Sequence, residues 1–305
     1  MRPASGAPPQ DWVAYYDQRL AAYPGDLAAL KSRAYQQAQL NDTPATIQAY
    51  RQVLAQSPDD MGAKRELARH LARDRQYDES IRLYQGVLAA SPDDTDSLEY
   101  LSRVQGWAGQ DRESLAGYQK LIASNPSATA YPMEAARLQL RLQDYAGARQ
   151  ALNAVIAAEP QNRDAHVQLA RLDMMQGNRM GALQHYEEAL KQDPKDSTAL
   201  LGKAQISFYQ GDMAQAHAVA SEVVAADPNS FDAVLLLASI EHAQHHKKKS
   251  LELLDRAATL SPDNSEVAAM RRRIREESAV SLRTSASYAR EIGPPSRFDP
   301  TRALP

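Results

Sequence analysis

Four arginines, Arg69, Arg103, Arg137 and Arg171, follow one another at a constant interval of 34 residues. Guanidinium groups repeated at one register suit carboxylates, because each planar fork donates paired N–H groups to a planar anion. Arg65, Arg73 and Arg141 lie four residues from members of this series, on the same side of any helix that carries it. Trp107 occupies the register of Arg73 and Arg141 and offers an indole on which a polar ligand can stack. The series ends at Gln205 and Ser239, and the later stretch supplies Leu201, Phe208, Tyr209, Leu235 and Met174 instead. The expected surface is therefore basic in its first half and apolar in its second. Glu66, Glu99 and Glu134 stand close to the arginines in sequence, so the alternative is a self-neutralised, solvated face.

Other chemistry is sparse. His242 and His246 have a spacing that can hold a metal on a helix, with His245 between them, but Lys247–Lys249 would repel a cation and no carboxylate joins them in a ligand pattern. A solvated turn is the expectation there. With no cysteine, the chain has neither a thiolate metal site nor a cysteine nucleophile. No phosphate-binding glycine loop is present, and Asp59–Asp60, Asp93–Asp94 and Glu187–Glu188 read as solvated pairs. The sequence predicts no enzyme, no cofactor and no metal.

The elements that must carry the arginines show the same interval. Pro24, Pro58, Pro92, Pro126, Pro160, Pro194, Pro228 and Pro262 are each separated by 34 residues, the period of a helix–turn–helix solenoid. Twenty-four residues before each proline from Pro58 onward stand Ala34, Ala68, Ser102, Ala136, Ala170, Ala204 and Ala238. Twelve residues before it stand Thr46, Ser80, Ser114, Ala148, Ala182, Ala216 and Ser250. Small side chains at two fixed points, one per helix, let the helix backbones approach closely. Eight residues before it stand Tyr50, Tyr84, Tyr118, Leu152, Tyr186, Ala220 and Leu254, mostly large enough to fill the space left over. The proline ends each second helix, since it has no N–H to donate and clashes with the preceding turn.

On these columns, with turn glycines at Gly109, Gly177 and Gly211, the chain resembles the tetratricopeptide repeat family over residues 27–264. The resemblance implies an all-α fold, a right-handed superhelix of seven helical hairpins (27–60, 61–94, 95–128, 129–162, 163–196, 197–230 and 231–264). It also implies that the arginine register faces the concave groove from the first helix of each hairpin. Where the family often opens that helix with a large residue, this chain has Lys64, Pro132 and His166 in three units, which suggests looser packing there.

Flanking segments follow from composition and caps. Residues 1–10 are rich in Pro, Ala and Gly and are expected to be disordered; 11–26 read as a capping helix through Trp12, Tyr16 and Leu20. Thr43 before Pro44 reads as an N-cap. Residues 265–278 run from Ser265 and Glu266 to Arg271–Arg273, a charge order that suits the helix dipole and makes a polar closing helix. Beyond 279, Val280, Leu282, Thr284, Ala286 and Tyr288 alternate with polar residues as in a strand. One reading of that tail is a disordered C-terminal segment. The other is that it is similar to the opening of a truncated barrel in bacterial exopolysaccharide-export proteins, which would place the array in the periplasm as a docking region, with a cytoplasmic scaffold as the alternative. Net charge is −3 and no apolar run reaches membrane-spanning length, so nucleic acid is not an expected partner and no membrane span is expected within this chain. The expected partner is a protein or peptide, held in the groove by its acidic groups.

Overall fold

The structure, a computed structural model, describes residues 2–277. A first helix, α1 (Pro9–Ala22), precedes hairpins α2–α3 (Leu27–Gln39, Thr43–Gln56), α4–α5 (Met61–Arg73, Tyr77–Ala90), α6–α7 (Thr95–Trp107, Asp111–Ser124) and α8–α9 (Ala130–Arg141, Tyr145–Ala158). Hairpins α10–α11 (Arg163–Met175, Arg179–Gln192), α12–α13 (Ser197–Gln210, Met213–Ala226) and α14–α15 (Phe231–Ala243, Lys247–Leu260) follow, and 265–277 form α16. The described residues contain helices and no strand, the all-α solenoid that the period implies. The described residues form two compact units, 2–165 and 166–277, and within each, consecutive helices pack on one another.

Each second helix ends two residues before its proline. The residue ahead of a proline is pushed out of the helical region, and Ser57 (φ −134°, ψ 79°) and Ser91 (φ −138°, ψ 79°) show it. Two residues after the proline, a short polar side chain opens the next helix. Asp26, Asp60, Asp94, Asn162, Asp196, Ser230 and Asn264 each accept from the N–H three residues on, at 2.9–3.4 Å. Ala128 breaks this series, and α8 starts late from Thr129 with no side-chain cap. Pro132 explains the shift. In other units the residue at its register donates the first helical hydrogen bond, as Leu30 does to Asp26 and Leu98 to Asp94; a proline has no N–H for it.

The small columns are buried throughout, from Ala34 and Thr46 to Ala238 and Ser250. Where the second-helix member is serine, its hydroxyl ties the hairpin shut. Ser80, Ser114 and Ser250 donate to the carbonyls of Ala68, Ser102 and Ala238 at 2.7–2.8 Å. The third column fills the remaining space: Tyr84 and Tyr118 are almost wholly buried. Tyr186 lies so close to Gly202 that a Cβ there would stand 2.1 Å from its ring.

Several expectations change. The first helix spans Pro9–Ala22 rather than 11–26, because Pro9 supplies a preset φ at the first helical position. The cap of α3 is Asp42, whose carboxylate accepts from Ala45 N–H at 3.1 Å, and Thr43 is already helical. Pro132 and His166 are buried, so packing is not loosened at those two positions; Lys64 is half-buried. The closing helix is present over 265–277, with Val267 and Ile274 buried beside Val234, Leu254 and Ala257. The tail from 279 lies outside the described residues.

Candidate functional site

In the first unit the arginine series lies along α4, α6 and α8, and each member holds a carboxylate of its own helix. Arg69 pairs with Glu66 at 3.1 Å, Arg103 with Glu99 at 2.5 Å and Arg137 with Glu134 at 2.5 Å. Arg65 reaches Asp94 at 3.0 Å, which lies across the hairpin boundary at the cap of α6. Burial would raise the Asp94 carboxyl, but hydrogen bonds from Ser97 and Arg65 outweigh it and hold the group below the ordinary range. Arg141 pairs with Asp111 and donates to the Gly106 carbonyl at 3.2 Å. Only Arg73 of this set in the first unit has no ion partner among the described residues.

Aromatic rings support this face. Tyr100 stacks on Tyr84 with centroids 6.0 Å apart, and the guanidinium groups of Arg69 and Arg103 lie 4.8 and 5.5 Å from the Tyr100 centroid. A recess of about 250 Å³ opens beside them, lined by Arg65, Glu66, Arg69, Asp96 and Tyr100. Burial pushes the Tyr84 phenol far up from its usual value, so it stays protonated.

Arg171, in the second unit, differs from the other three members of its series. It is exposed and has no carboxylate partner among the described residues. It borders a groove of about 600 Å³ whose floor includes Met174, Leu201, Phe208, Tyr209 and Leu235, the apolar set named from the sequence. The packing order α10, α12, α14, α16 brings them together. Val167 and Ala170 meet Ala199 and Ile206, α12 touches α14, and Val234 meets Val267. Arg179 lies 5.1 Å from the Tyr209 ring centroid, while Asp232 and Glu266 border the groove from α14 and α16.

One regularity escapes a reading centred on charge. Tyr35 stands at the arginine register in the first hairpin, and Met175 and Tyr209 stand at the register of Trp107. These four are exposed by 58%, 64%, 53% and 50%, so among the described residues most of the large apolar side chains left in solvent stand on the corresponding face of their own first helix. Listing aromatics and methionines by register would have found it.

The histidines behave otherwise than expected. His245 does occupy the turn, with φ 64°, but His246 Nδ1 lies 2.6 Å from buried Glu241. Glu241 also meets His217 Nε2 from α13 at 3.0 Å. Burial would raise the Glu241 carboxyl, but the two imidazole hydrogen bonds outweigh it and hold the group below the ordinary range. Of its two partners, His246 is five residues away and His217 is 24, so only the latter contact is beyond the reach of a local pattern. Among the described residues no group of three or more His, Cys, Asp or Glu side chains is arranged so that it could hold a metal ion, and no helix is long and apolar enough to cross a membrane.

Comparison with known proteins agrees with this architecture. Among curated proteins none matches the chain. A tetratricopeptide repeat protein from Parabacteroides merdae is similar in structure, with TM-score 0.64 and 18% identity over 81% of this chain and 98% of its own. The C-terminal part of a repeat protein from Cytophaga hutchinsonii gives TM-score 0.61 and 14% identity over 77% of this chain and 97% of its own. Yeast Tom70 gives 0.54 and 14% over 89% of this chain and 58% of its own. Tetratricopeptide repeat profiles match residues 32–95, 108–163, 139–206 and 207–274. With most of its length matched and its helices paired at the same period, the chain belongs to the tetratricopeptide repeat family.

Proposed function

We propose that this protein is a non-catalytic scaffold that holds a segment of a partner protein against the first-helix face of its hairpins. The observation that carries the reading is the recurrence of Tyr35, Trp107, Met175 and Tyr209 as exposed large side chains at two registers of one face. Side chains of this kind in solvent gain most by being covered, and aromatic and methionine residues are enriched where proteins meet. Repeat proteins of this family generally act as scaffolds rather than catalysts. The arginines Arg65, Arg69, Arg73, Arg103, Arg137, Arg141 and Arg171, with Trp107, belong to the proposed contact surface. In the first unit an acidic partner would compete with Glu66, Glu99 and Glu134, and exposed pairs of that kind hold only about 0–1 kcal/mol. Arg171 has no such competitor. The export reading rests on the alternation beyond 279, which lies outside the described residues.

Panning a random peptide library on the full chain tests this, with counter-selection on a variant carrying Tyr35→Ser, Trp107→Ser, Met175→Ser and Tyr209→Ser. Peptides specific to the unaltered face are expected. If the variant captures the same sequences equally well, the face is not a binding surface.

A further inference from the structure

We propose that the groove of the second unit receives an extended partner segment with an acidic side chain at one end, a basic one at the other and bulky apolar side chains between. This deepens the scaffold reading and rests on it. Met174, Leu201, Phe208 and Leu235, on three successive first helices, line the groove together with the uncharged polar Thr198, Gln205 and Ser239. Its volume of about 600 Å³ lies within the roughly 300–1,000 Å³ typical of ligand pockets.

The rim is charged with opposite signs at opposite ends. Arg171 lies on α10, and Arg179 covers the Tyr209 ring from the start of α11. Asp232 and Glu266 lie on α14 and α16, at the other end of the packing order. None of the four is in an ion pair among the described residues. Like the intrahelical pairs of the first unit, a carboxylate could have been supplied in cis beside Arg171. At that point Val167 and Gln168 stand where earlier hairpins place Glu99 and Glu66. The groove therefore presents an uncompensated cationic end and an uncompensated anionic end, and a segment of complementary charge order fits it in one direction.

Span sets the length. Packed helices lie about 8–10 Å apart, so the path from α10 to α16 covers roughly 20–30 Å, or about six to nine residues at ~3.3 Å per extended residue.

The experiment selects nonapeptides from a random library on the full chain, counter-selected on a Met175→Glu/Tyr209→Glu variant, both sites being exposed and circular dichroism confirming the fold. Selected peptides, labelled with fluorescein, are then titrated. We expect an Asp or Glu at one end and a Lys or Arg at the other. Arg171→Glu with Arg179→Glu should weaken binding about tenfold, and exchanging the peptide's acid for lysine should restore it. Groove-dependent peptides without this charge order, or affinity indifferent to Arg171→Glu and to salt, would overturn the inference and leave the scaffold reading standing. Enrichment of no peptide at all would overturn both. If the Met175→Glu/Tyr209→Glu variant instead turns a dimer into a monomer, a second copy of this chain covers the groove and the inference is likewise overturned.

Discussion

Replacing Arg75 or Gln143 with glycine should stabilise the first unit. The turn inside every hairpin places one residue in the left-handed region, at positions 34 residues apart: Asn41 (φ 57°), Arg75 (61°), Gly109 (77°), Gln143 (60°), Gly177 (77°), Gly211 (84°) and His245 (64°). A non-glycine side chain there crowds its own backbone and costs about 1–2 kcal/mol. Glycine relieves this but enlarges the unfolded ensemble, giving back about 0.4–1 kcal/mol. The net gain is about 0.5–1 kcal/mol at each site, and distant sites add, so the Arg75→Gly/Gln143→Gly pair should gain about 1–2 kcal/mol. Gly109 lies in the same unit and supplies the inverse control. A Cβ built on it meets no atom within 4 Å, so Gly109→Ala isolates the backbone cost and should lose about as much as Arg75→Gly gains. Urea titration followed by circular dichroism reads all four variants, with thermal midpoints moving about 2–4 °C per kcal/mol in a unit of this size. A neutral or destabilising Arg75→Gly, or a Gly109→Ala without cost, would refute the reasoning.

Restoring the missing first turn of α8 by Ala128→Asp with Pro132→Leu should lengthen that helix and add about 1 kcal/mol, read as an added protected amide near Tyr131 in hydrogen exchange; no change in protection would count against the account of its late start. Gly202→Ala should cost about 2 kcal/mol or more through collision with the buried Tyr186 ring, and Tyr186→Leu should recover most of it, leucine being what this register carries at Leu152 and Leu254. Glu241 is held below the ordinary carboxylate range, so its stabilisation is complete above its unfolded pKa and is lost as pH falls through the lower folded value. Denaturation midpoints measured from pH 6 down to pH 3 should therefore fall more steeply for the native chain than for Glu241→Gln; parallel profiles would show the cluster to be inert.

The hairpins were legible because a repeat states its contacts many times over. Proline, small-residue and tyrosine columns recur at one interval, and burial of Ala34, Ser80 and Tyr118 follows from close helix approach alone. The register of the arginines was equally plain, and so was the apolar set that follows them. Their availability was not. Arg69, Arg103 and Arg137 each turn to a glutamate on their own helix, whereas Arg171 has none among the described residues; both arrangements are compatible with the same register, and rotamer and neighbour decide between them. The same holds for Glu241, which no sequence pattern singles out and which His217 reaches from α13 only in the packed fold. Periodicity specifies which backbone positions share a face, since that is a property of the helix. Which side chains on that face meet, and which are left for a partner, depends on contacts between residues far apart in the chain, and those exist only once the helices have packed.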